Sequence, residues 1–157
     1  MVRYLGSDDQ QRLIDFFNTH TIETIRSRYG YLMARMSPER AAQLVGVDQS
    51  RDAALGVFEG TGSGATIIAI GRCCALTNLK AAEVAFIVRE DRRRLGIASL
   101  LFSTLLEIMR ARGVSHVFAR VQRDNEAMLE LFRRAGAELR NLPDSGEVEM
   151  TLRIAET

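Results

Sequence analysis

Residues 81–121 constrain the fold more than any other part of the chain. An apolar run, AAEVAFIV (81–88), leads through REDRRRLG into a helix-periodic stretch that stops at Gly113, and VSHVFARV (114–121) follows as a second strand. Strand, helix and strand in that order call for a crossover connection, which implies at least one parallel strand pair. The helix, expected over 95–112, carries Ala98, Leu101, Leu105 and Ile108 on one stripe, with Ser99, Ser103, Glu107 and Arg110 opposite. A helix of that kind packs on a sheet, and its N-terminus then sits at the carboxyl end of strand 81–88.

The flanking sequence completes one α+β (α/β) domain over 1–157. VRYL (2–5) reads as a strand and Ser7-Asp8-Asp9-Gln10 as a capping box. Leu13, Ile14, Phe16 and Phe17 mark a first helix. Thr21 is placed to cap a second helix, and Ser37-Pro38-Glu39 to open a third. AALGVFEG and ATIIAIGRCCAL read as strands joined by TGSG. A helix is expected over Asn125–Ala135, ending at Gly136, before AELRNL and EVEMTLRI close the chain as strands around the turn PDSG. No repeat, linker or low-complexity segment interrupts this order.

Composition narrows the class. The 157 residues suffice for a single core, and a net charge of +1 offers no global field for nucleic acid or an anionic membrane. Apolar runs fall far short of the ~20 residues of a membrane span, and the N-terminus lacks a signal-peptide pattern. Cys73 and Cys74 are strand neighbours that alternation points to opposite faces, a poor arrangement for a bridge. A reducing, cytoplasmic setting is therefore expected.

The turn between strand and helix is the first candidate site. The opening N–H groups of a helix lack intrahelical partners and carry about half a positive charge together. Gly96 removes the side chain that would hold an anion away from them, and Arg92, Arg93 and Arg94 add charge within the same turn. A diphosphate fits there without a metal ion; the alternative is a solvated arginine run with Gly96 as a turn residue. GTGSGAT (60–66) has no lysine and leads into a strand, so it reads as a hairpin loop. The single glycine of the turn disfavours a dinucleotide fingerprint.

Arg93-Arg94-Leu95-Gly96-Ile97-Ala98 resembles the Arg/Gln-x-x-Gly-x-Gly/Ala signature of the GNAT N-acetyltransferases, and NEAMLELFRRAGA (125–137) resembles that family's Asn-bearing helix. RSRYGYLMARMSPERAAQLVGVD, AAEVAFIV and NEAML look most like the acetyltransferase domains of bacterial protein-lysine acetyltransferases. The resemblance implies a mixed sheet of about six or seven strands with about four or five helices. Strands 81–88 and 114–121 would splay apart, with acetyl-CoA in the gap. It further implies that backbone groups of Phe86, Ile87 and Val88 pair with the pantetheine arm. Arg93, Arg94, Leu95, Gly96, Ile97, Ala98 and Ser99 would hold the diphosphate, and Asn125 would meet the arm; Met128, Leu131 and Phe132 read as core by helical spacing, with contact to the arm as the other possibility for Phe132.

The implied reaction is direct acetyl transfer to a primary amine, a protein lysine or a small molecule, in a ternary complex. An alkylammonium with a pKa near ~10.4 must first lose a proton. Glu83, the carboxylate of AAEVAFIV, is the expected general base, its pKa raised by partial burial; the alternative is a strand glutamate that faces solvent or pairs with an arginine. Many family members carry a tyrosine acid where this chain has Phe132, which motivates the alternative of a non-catalytic acyl-CoA sensor. His20 and His116 are single and far apart in sequence, so no metal is expected. Cys73 and Cys74 lack a histidine partner and read as packed strand positions. Arg120 and Arg123 read as surface charge, with contact to an acidic substrate or to the 3′-phosphate as the other possibility. A monomer or a homodimer is expected, without nucleic-acid or membrane partners.

Overall fold

In chain order the elements are β1 (Val2–Tyr4), α1 (Gln10–Asn18), β2 (Ala53–Glu59), β3 (Thr66–Ala75), β4 (Ala81–Val88), α2 (Ile97–Ala111), β5 (His116–Gln122), α3 (Glu126–Arg134), β6 (Glu138–Leu142) and β7 (Glu147–Arg153). The structure, a computed structural model, describes residues 1–19, 42–43, 45–46, 52–76 and 80–154. The helices expected from Thr21 and Ser37 fall largely outside them; Gly46 N–H donating to the Ala42 carbonyl at 2.9 Å is one helical turn.

Seven strands form one mixed sheet in the order β1-β2-β3-β4-β5-β7-β6. β4 and β5 are the parallel pair that the crossover requires, and the other neighbours are antiparallel. Alternation along the strands separates two cores. Ala82, Val84, Phe86 and Val88 of β4 pack with Leu101, Phe102, Leu105 and Met109 of α2 and with Leu129 and Phe132 of α3. Ile87 points the other way and joins Ile70, Phe58 and Leu13, Phe16 and Phe17 of α1. Each fully buried large side chain contributes about 1.5–3 kcal/mol, so both helical layers are held mainly by these stripes.

Element ends differ from the sequence expectation in ways local chemistry explains. α2 begins at Ile97, two residues later than expected, because Arg94 (φ 66°) and Gly96 (φ 78°) are left-handed. The expected capping box is shifted by one residue. Asp9 Oδ2, not Gln10, accepts the Gly6 N–H at 2.8 Å, and Ser7–Asp9 form a short 3-10 turn before α1. The segment TGSG is indeed the β2–β3 hairpin connection.

Candidate active site

β4 and β5 pair at only three positions, Ala81↔His116, Ala82↔Val117 and Glu83↔Phe118, and then part. β4 runs on to Val88 with β3 as its remaining partner, from Ala75↔Ala82 to Ala69↔Val88. Leu76 N–H bonds the Ala81 carbonyl at 2.9 Å and Arg89 N–H bonds the Ile68 carbonyl at 2.8 Å. Odd-numbered residues of β4 therefore turn their main-chain groups to β3, and even-numbered ones turn theirs to the gap. Phe86 and Val88 present an open strand edge there, which an extended amide-bearing ligand can pair with. From Glu83 to Val88 the edge runs about 17 Å at the usual strand rise. Ile87 departs from expectation: its main chain faces β3 and its side chain is buried against the α1 layer.

The edge leads to the phosphate-type turn. Gly96 is the N-cap of α2, and no side chain caps this end. Intrahelical bonding starts with Leu100 N–H to the Gly96 carbonyl at 3.0 Å, leaving the N–H groups of Ile97, Ala98 and Ser99 without helical partners. A Cβ built on Gly96 would meet no atom of the described residues within 4 Å. Among the described residues nothing crowds the Gly96 side of these dipoles, and their donors fit an anion such as a diphosphate.

Arg92 does not contribute charge to this opening as expected. Its guanidinium grips Glu59 at 2.8 and 2.9 Å and Asp91 at 3.1 Å, tying the β2 end to the turn. The Arg92 hydrogen bond holds the Glu59 carboxyl below its usual pKa, and Arg89 does the same for Asp91. Arg93, Arg94 and Leu95 are the exposed residues beside the opening.

Glu83 stands at the last paired position, where the gap begins. It is exposed, contrary to the expected partial burial. The apolar residues beside it in sequence, Ala82 and Val84, point to the opposite face beneath α2. Its cross-strand neighbours are Cys74 and Phe118. A carboxylate so placed is open to solvent at the mouth of the gap.

Asn125 caps α3, its Oδ1 accepting the Met128 N–H at 3.3 Å. The amide Nδ2 makes no hydrogen bond among the described residues, which leaves a donor for a ligand. Phe132 is core, 1% exposed, with ring centroids 6.1 Å from Phe86 and 5.4 Å from Phe102. Expected at the coenzyme arm, it sits one layer behind the strand whose edge is open.

The remaining candidates divide cleanly. Cys73 is buried, and that burial pushes its thiol pKa up to about 12. Cys74 is half-buried on the other face, as alternation predicted, and both thiols are free. His116 is exposed, with Ser115 Oγ 3.0 Å from its Nδ1, and His20 lies outside the described residues. Among the described residues, no cluster of three or more His, Cys, Asp or Glu side chains is disposed to hold a metal. Sequence reasoning missed Glu59, which has no local signal because its partner is 33 positions away.

Comparison with known proteins agrees with this geometry. The acetyltransferase (GNAT) family model matches residues 29–137. The GNAT domain of PAT from S. lividans superposes with a TM-score of 0.84 at 26% identity, covering 97% of this chain and 89% of that one. YncA from Salmonella typhimurium, a putative acetyltransferase with its cofactor acetyl-CoA, has the same fold at 15% identity, with a TM-score of 0.74 over 100% of this chain and 95% of that one. A cAMP-binding acyltransferase from Mycobacterium smegmatis matches at 26% identity and a TM-score of 0.66, covering 99% of this chain and 44% of that one. The chain belongs to the GNAT family of acetyltransferases, N-acetyltransferases that draw their acyl group from acetyl-CoA.

Proposed function

We propose that this chain transfers the acetyl group of acetyl-CoA directly to a primary amine, carried by a protein lysine or a small molecule, with Glu83 as general base. The observation that carries the proposal is the parting of β4 from β5 immediately after Glu83. In this reading the diphosphate rests on the N–H groups of Ile97, Ala98 and Ser99, flanked by Arg93 and Arg94. The pantetheine arm pairs with Phe86 and Val88, and Asn125 Nδ2 donates to it. The thioester then reaches the closed end of the gap, beside the only β4 carboxylate. The amine attacks the thioester carbonyl, Glu83 takes its proton through water, and coenzyme A leaves as the thiolate. A thiolate is a tolerable leaving group, so solvent supplies the proton that a tyrosine hydroxyl at Phe132 would otherwise give.

The test is the pH–rate profile of Glu83→Gln on a good amine. General-base catalysis predicts a fall in kcat of about 100-fold or more, with the rate rising toward the pH at which the amine deprotonates unaided. An unchanged profile and turnover would remove Glu83 from the role. A second reading, an acyl-CoA sensor without turnover, rests on the buried ring at Phe132. Acetyl-CoA binding without thiol release across an amine panel supports that reading. The free thiols suit a reducing, cytoplasmic setting, and no helix among the described residues is long and apolar enough to cross a membrane.

A further inference from the structure

We infer that Arg72 and Arg120 select an acceptor that carries an anionic group close to its reactive amine. The inference rests on the acetyl-transfer reading, because it concerns the face on which Glu83 meets that amine. Strand alternation places Arg72 on the Glu83 face: Arg72 pairs across β3–β4 with Ala85, and Cys74 with Glu83 itself. On β5, Phe118 pairs with Glu83, and Arg120 is the next residue on the same face. The gap between β4 and β5 opens from this level onward, so the two arginines stand on either side of it.

Arg72 is half-buried on an interior strand, where a charged side chain needs partners. Among the described residues its guanidinium makes a single hydrogen bond, Nη2 to Cys74 Sγ at 2.8 Å. A thiol is a weak acceptor, and a guanidinium presents five N–H donors in a fork that suits a carboxylate or phosphate. Its cross-strand neighbours are both alanines, Ala54 and Ala85, which keeps bulky side chains off the flanks. Arg120 is exposed and makes no side-chain hydrogen bond or ion pair among the described residues. Its cross-strand neighbour Glu149 is held by Arg140 at 3.0 Å. Among the described residues, Glu83, Asp52 and Glu149 are the carboxylates nearest this pair in register; Glu83 is assigned to the reacting ammonium, Asp52 Oδ1 accepts the Ala75 N–H at 2.8 Å, and Glu149 is bound by Arg140. An acceptor with an acid beside its amine satisfies Glu83 and the arginines together.

The experiment is a matched acceptor panel at saturating acetyl-CoA. One arm holds lysine peptides with either aspartate or asparagine next to the lysine. The other holds small amino acids and their neutral amides. The readout is the ratio of kcat/KM for the acidic acceptor to that for its neutral twin. The wild type is expected to favour the acidic member of at least one arm by about tenfold or more, and that arm names the source of the acid. Arg72→Met and Arg120→Met should each reduce the ratio severalfold, while Arg72→Lys restores part of it. A variant that is merely misfolded lowers both terms and leaves the ratio unchanged. Ratios near one in both arms, or a ratio left untouched by variants that keep the wild-type kcat/KM on the neutral acceptor, overturn the inference while acetyl transfer stands. Absence of turnover with every amine overturns the transfer reading and the inference with it.

Discussion

Asp9 shows how one buried carboxylate orders the sheet face covered by α1. It is 0% exposed, and it accepts from Arg3 at 2.8 and 2.9 Å, from Gly6 N–H at 2.8 Å and from Arg12 at 3.0 Å. Burial pushes the carboxyl pKa up, but the Arg3, Gly6 and Arg12 hydrogen bonds outweigh it, so the pKa lies below the usual value. A group depressed in this way stabilises the fold fully above its unfolded pKa, and the contribution is lost as pH falls through the folded value. Thermal melts should therefore lose Tm below about pH 4. Asp9→Asn should cost about 2 kcal/mol at neutral pH, a drop in Tm of about 4–8 °C, and should flatten part of that acid limb. The adjacent cysteines supply a second check at this scale. Iodoacetamide on the native protein should label Cys74 and spare buried Cys73, with both labelled after unfolding; early labelling of Cys73 would contradict its packing under α2.

Among the elements, the turn between β4 and α2 carries the strongest claim. Gly96 combines a φ of 78° with open space where a Cβ would go. Gly96→Ala should cost about 1–2 kcal/mol in backbone strain and also push a methyl group toward the anion. Acetyl-CoA affinity should fall by about tenfold or more as one charge-assisted hydrogen bond weakens. Gly113→Ala is the matched control, since Gly113 has a φ of 83° with nothing within 4 Å among the described residues and lies at the other end of α2. It should lose similar stability and keep its affinity; equal affinity losses in both variants would mean that the glycine acts through the fold alone. This element was largely legible in the sequence, because helix periodicity and a glycine after an arginine run are local patterns. The fate of Arg92 was not, because Glu59 reaches it from the far end of β2 and a run of like charges says nothing about tertiary partners.

At the scale of the molecule, a seven-stranded sheet with one parallel junction yields a cleft where that junction stops pairing. The strand–helix–strand order of 81–121 made the parallel pair predictable, and the family resemblance supplied the splay. The faces were less legible. AAEVAFIV reads as nearly continuous apolar sequence, so nothing in composition separates the buried set Ala82, Val84, Phe86 and Val88 from Glu83. Period-2 alternation does separate them, and it makes Glu83 an exposed carboxylate instead of a half-buried one. Phe132 was legible as core from helical spacing, whereas only tertiary packing shows that Phe86 and Phe102 are the rings it meets.

The most direct measurement is isothermal calorimetry of acetyl-CoA against acetyl-pantetheine, the same thioester arm without the diphosphate and nucleotide. With the arm on the β4 edge and the diphosphate on the start of α2, acetyl-CoA should bind one site per chain. Acetyl-pantetheine should bind at least about 100-fold more weakly, the loss expected from two charge-assisted hydrogen bonds. Equal affinities, or no heat with acetyl-CoA, would contradict the assignment of that turn to the coenzyme's diphosphate.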